Sequence, residues 1–185
     1  MKCKLLLLTA VMVMSLGLVC TPASWANSLS FQGVTFSLVD NGSGSLTFTI
    51  ANATNATGDW NGIETLDAFS LKDIGGTSLT LAGWSLSSNE LSPDGCDGGS
   101  SGGYCFGAPG GSVSLTDNMV FDLTYTGALN MTAPHLKILF GGADQGDGHG
   151  SLLSQNVSVP EPSPLMLLGA ALVGVWMWRR KAIQV

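Results

Sequence analysis

The sequence predicts an all-β fold, an antiparallel β-sandwich, over residues 27–158. Three observations carry that expectation. Apolar residues recur with period two, short Gly-, Pro- and Asp-rich clusters separate the recurrences, and no stretch between them shows the 3.6-residue period of an amphipathic helix. About 130 residues are enough to bury the core of one domain. In chain order, residues 34–38 open the series. Leu46, Phe48 and Ile50 then alternate with Ser45, Thr47 and Thr49. Shorter candidates follow at 69–71, 79–81 and 113–115. Met119, Phe121, Leu123 and Tyr125 alternate with Asp122, Thr124 and Thr126, and Leu136, Ile138 and Phe140 share a face opposite His135 and Lys137. A last strand is expected at 152–157. Turn chemistry stands between them, as in the runs Asp40-Asn41-Gly42-Ser43-Gly44, Ser92-Pro93-Asp94-Gly95 and Ala108-Pro109-Gly110-Gly111. Roughly eight short strands fit a sandwich. Pattern does not fix their order, and a jelly-roll arrangement is one that fits.

The N-terminus predicts export. Lys2 and Lys4 precede an apolar run over residues 5–19, and small residues at Ser24 and Ala26 place signal-peptidase cleavage between Ala26 and Asn27. Residues 1–26 are then a signal peptide handled by the Sec machinery. Val19 fits lipid attachment at Cys20 poorly. Processing leaves two of the four cysteines, Cys96 and Cys105. In an oxidising compartment, with Gly-rich sequence between them, that isolated pair reads as a local disulfide. Closing a loop of this size stabilises a fold by about 2.5–3 kcal/mol on the chain-entropy account.

All 13 acidic residues lie between Asp40 and Glu161, where Lys72 and Lys137 are the only Lys or Arg. That span therefore carries −11, against −6 for the whole chain. Such a surface repels phosphate backbones and excludes nucleic acid as a partner.

The C-terminal residues 159–185 have three parts. Val159, Pro160, Glu161, Pro162 and Ser163 form a short polar motif, residues 164–178 are uncharged and largely apolar, and Arg179, Arg180 and Lys181 follow. At about 1.5 Å per residue, a transmembrane helix over 164–178 would span about 22 Å, short against a hydrocarbon core of about 30 Å. Trp176 and Trp178 suit the interface, and the basic cluster marks the cytoplasmic end, stopping transfer there. Pro160, Pro162 and Pro164 keep the motif extended and open to an enzyme.

This order of motif, apolar stretch and basic cluster resembles the PEP-CTERM sorting signal of exopolysaccharide-producing Gram-negative bacteria. The resemblance covers about the last 25 residues. It implies recognition by a membrane-embedded exosortase at Pro160, Glu161 and Pro162, flanked by Val159 and Ser163. It further implies removal of the tail, a transient stay in the inner membrane, and a final place at the cell surface or in the extracellular matrix. A permanent single-span anchor with a proline-rich neck is the alternative. No Leu-Pro-x-Thr-Gly motif supports a Gram-positive sortase.

Little in the exported span points to catalysis. Its histidines are His135 and His149, Gly-x-Ser-x-Gly is absent from it, and Glu64 is its one candidate acid in an apolar strand context. Asp144 and Asp147, in a Gly-rich loop, are candidate oxygen ligands for Ca²⁺, although the EF-hand spacing and its closing Glu are missing. Asn-x-Ser/Thr triplets begin at Asn41, Asn52, Asn55, Asn130 and Asn156, with Asn52 and Asn55 in the most loop-like setting for a glycan. Trp60, Trp84, Tyr104 and Phe106 are candidates for a sugar-stacking platform, Trp84 reading more readily as core. The resulting expectation is a structural or adhesive matrix component associated with exopolysaccharide and biofilm, without enzymatic activity. A carbohydrate-binding module is the alternative, and a polysaccharide-active enzyme a weaker one.

Overall fold

Alternation along the strands decides the architecture. The structure, a computed structural model, describes residues 26–142 and 152–157. Over those residues eleven strands form two antiparallel sheets: β1 (Ala26–Phe31), β2 (Val34–Gly42), β3 (Ser45–Ala51), β4 (Thr65–Lys72), β5 (Ser78–Leu81), β6 (Ser85–Ser92), β7 (Gly95–Gly107), β8 (Val113–Ser114), β9 (Asn118–Thr126), β10 (His135–Gly141) and β11 (Leu152–Asn156). The first sheet has the order β1-β2-β3-β9-β5. The second runs β11-β10-β4-β7-β6, with β8 paired to the end of β4. No α-helix occurs among the described residues; short 3-10 turns at Ala53–Asn55, Gly58–Trp60 and Pro109–Gly111 make the connections.

The inward residues of both sheets meet in one core. Phe36, Phe48, Leu46 and Ile50 come from the first sheet, and Phe69, Leu71, Phe106, Ile138 and Phe140 from the second, all fully buried. Aromatic rings join the layers: Phe48 lies 4.9 Å from Phe69, which lies 5.0 Å from Phe106. Such ring pairs add to the free energy of area burial. A register shift between Leu139 and Phe140, opposite Asp67, changes the phase of β4 so that Leu66 and Phe69 both reach the core.

The structure holds three strands that period-two reading leaves out: β1, β6 and β7. β1 begins at Ala26, inside the expected cleavage region, and its alternation is blunted by Asn27. β7 is rich in Gly and Ser and reads as turn. It nevertheless pairs with both β4 and β6. A Cβ on Gly98 would collide with the carbonyl oxygen of Glu90, so only glycine lets β7 approach β6 there.

The two ends of the described sandwich meet. The buried Asn27 side chain donates from Nδ2 to the carbonyl of Met131 at 2.7 Å and to that of Val157 at 3.5 Å. Val157 is itself fully buried, and its amide donates to Pro134 O at 2.8 Å.

Candidate functional site

Two broad surfaces lie outside the core, one on each sheet. On the second sheet, β6 folds back over β7 and β4. Leu91 of β6 packs on Ala68 of β4, Cys105 of β7 and Leu139 of β10, with Cys96 beside them, as a second small cluster on the outward face. The Cys96–Cys105 disulfide expected from spacing is present, with 5.7 Å between Cα atoms, and pins the start of β7 to a point near its end. Between these cysteines β7 is bulged, since ten residues from Cys96 to Cys105 face a shorter stretch of β6.

A charge cluster holds the same cover in place. Lys72 of β4 and Lys137 of β10 both donate to Oε1 of Glu90, at 3.1 and 2.5 Å. Ser100 donates to its other oxygen, and Lys137 also reaches the Leu91 carbonyl at 3.4 Å. These donors, Lys137 foremost, then Ser100 and Lys72, hold the Glu90 carboxyl at a pKa of about 2, against an ordinary 4.5. Both lysines of the acidic span are thus committed to one carboxylate. Beneath them lies Ser70, cross-strand neighbour of Cys105 and Lys137, fully buried and with no hydrogen-bond partner for its Oγ. Sequence reasoning missed this cluster. Its one signal was the scarcity of bases in the span.

Of the four candidate sugar-stacking aromatics, the structure removes two. Trp60 is 2% exposed and packs between Phe31, Phe36 and Phe140 at centroid distances of 5.0, 6.0 and 5.1 Å. Phe106 is fully buried against Phe69. Neither offers a ring face to a ligand, because both belong to the core that the two sheets share. Trp84 packs on Phe69 and Phe121, in keeping with a core role. Tyr104 lines a cleft of about 420 Å³ with Lys72, Asp73 and Ser88.

His135 bridges β10 to β11, its ring nitrogens 2.6 Å from Asn156 Oδ1 and 2.9 Å from Ser154 Oγ. The glycan candidates are engaged. Asn52 Nδ2 donates to Gly33 O at 2.8 Å, and Asn55 Nδ2 to Asn52 Oδ1 and Asp117 Oδ1 at 3.1 and 3.3 Å. Glu64 is exposed just before β4, with its backbone bonded to Gly141 and Leu115. Among the described residues no group of three or more His, Cys, Asp or Glu is placed to hold a metal. Asp144 and Asp147 lie outside the described residues, as do residues 1–25, the motif Val159–Ser163, the apolar stretch 164–178 and Arg179, Arg180 and Lys181. Ala26 and Asn27, the expected cleavage pair, open β1.

No curated protein and no solved structure matches the chain. A family model does match its end: the PEP-CTERM protein-sorting motif, over residues 158–181. The last residue described before that segment is Val157, buried and hydrogen-bonded in the sandwich. One residue after it begins the match, and the motif implies export, sorting to the cell surface and processing by an exosortase. Where the described sandwich stops, the chain carries a PEP-CTERM protein-sorting motif.

Proposed function

We propose that this protein is a non-catalytic structural or adhesive component of the extracellular matrix, delivered as a folded β-sandwich and released from the inner membrane by exosortase cleavage of its tail. The observation that carries this reading is the boundary at Val157. The fold is secured there by Pro134 and Asn27, and the sorting segment starts at the next residue. Domain and tail are therefore modules. The sandwich keeps its pairing up to Asn156, and Pro160, Glu161 and Pro162 follow three to five residues after Val157 in the sequence. An exosortase then acts on a segment that follows the folded domain directly in sequence. An acidic surface and an oxidised disulfide suit life outside the inner membrane.

Intact mass and cell fractionation of the exported protein, with and without Pro160→Ala/Glu161→Ala, test the reading. The expected wild type loses the mass of residues beyond the motif and leaves the inner membrane, while the variant keeps both tail and location. Full tails on both proteins, held in the inner membrane, would make the segment a permanent anchor and sink the proposal.

A further inference from the structure

The outward face of the first sheet has a chemistry that the sorting motif does not explain. Alternation places every second side chain of its strands there, and the register aligns them into rows. One row crosses four strands as Ser28, Ser37, Thr49 and Val120. The three hydroxyls of this row make no side-chain hydrogen bond among the described residues, and Val120 is 54% exposed. Flanking hydroxyls are paired across strands: Ser30 with Thr35 at 2.9 Å, and Thr80 with Thr124 at 2.7 Å. Asp122 is the one charged side chain among the described residues of this face, and it accepts the Thr47 hydroxyl at 3.0 Å. In a span of net charge −11, so neutral a surface is an exception.

We propose that this face binds a neutral polysaccharide lying flat across the strands. A hydroxyl donates one hydrogen bond and accepts two, so even the paired ones keep capacity for sugar hydroxyls. Threonine methyls and Val120 stand between them and meet the C–H faces of pyranose rings. Five strands at about 4.8 Å spacing give a platform about 20 Å wide, room for more than one sugar unit. An ionised polymer finds no cation here, and the acidic surroundings repel it. A second copy of the chain is the other natural occupant of an open sheet face. The face lacks the Trp, Tyr, Met or Arg anchors that organise protein interfaces, and the acidic remainder of each copy repels the other. The inference rests on the matrix reading only in naming the polymer the protein meets after export.

The test is native affinity electrophoresis of the full chain in mild detergent, in gels containing hydroxyethyl cellulose, dextran or galactomannan, with polygalacturonate as the anionic comparison. At least one neutral polymer is expected to retard the wild type, and polygalacturonate is not. Ser37→Ala/Thr49→Val should weaken retardation about five- to tenfold, and Thr49→Glu should abolish it. Cys96→Ala/Cys105→Ala should leave it unchanged, and circular dichroism should show each variant folded. Absence of retardation by all three neutral polymers overturns the proposal, as does retardation that both face variants retain. So does wild-type self-association in sedimentation that Thr49→Glu removes, which assigns the face to a second copy. Because the gel reads binding before any tail processing, its outcome is independent of the exosortase test.

Discussion

The two outward faces of the sandwich start from the same strand alternation and end in opposite states. On the first sheet the outward side chains stay open to solvent, hydroxyl-bearing and nearly uncharged. On the second, β6 and β7 fold back and cover β4 and β10 with a disulfide, a small apolar cluster and a three-residue charge knot. The difference teaches that a shared core does not set what a sheet shows to the outside. Small residues in β7 do, because glycines let a strand bulge and return over its neighbours.

The largest expected break in this contrast comes from uncovering the second sheet. Cys96→Ala/Cys105→Ala should cost about 2.5–3 kcal/mol. In differential scanning calorimetry that corresponds to a fall of about 10 °C in Tm. Hydrogen exchange should quicken at amides of β4 and β10 and stay unchanged in β1 to β3. Equal acceleration in both sheets would mean that the disulfide supports the whole core rather than the cover.

Glu90→Gln probes the same cover through pH. Its folded pKa of about 2 lies below the ordinary 4.5, so its pairing stabilises the fold above about pH 4.5 and is lost as pH falls towards 2. The wild type should therefore be the more stable protein at pH 7, with the gap to the variant closing across pH 4.5 to 2 in urea titrations. A gap that stays constant over that window would deny the carboxylate any role in holding Lys72 and Lys137.

The smallest effect belongs to the bare face. Ser37→Ala/Thr49→Val should change stability by no more than about 0.5 kcal/mol per site, since neither hydroxyl bonds to another described residue. A loss of several kcal/mol would show that the face contributes to folding rather than standing open.

This contrast also marks how far the sequence could be read. The first sheet was legible where apolar and polar residues alternate strictly, as from Leu46 to Ile50 and from Met119 to Tyr125, because each strand buries only one face. The sorting tail was legible for another reason: its parts are contiguous, so order alone carries the signal. The cover was not. Glu90, Lys72 and Lys137 are brought together only by the backward fold of β6, and no local pattern encodes a contact between β6 and β10. Trp60 and Phe106 misled as exposed aromatics because their surroundings in sequence are Gly- and Asp-rich, while their surroundings in space are Phe36, Phe69 and Phe140. The hydroxyl rows were visible residue by residue, yet only register turns them into a surface.

The junction of Asn27 with Val157 has a mechanical consequence. A load entering through the C-terminal tail reaches β11 first, and β11 is an edge strand bonded on one side only, to β10. Pulled from its C-terminal end, such a strand unzips one rung at a time, the least resistant way to load a sheet. The Asn27 amide ties Val157, the residue just after β11, to β1, an edge strand of the opposite sheet. Part of the tension on the tail thereby passes to the other layer through β1 before the first rung of β11 gives way.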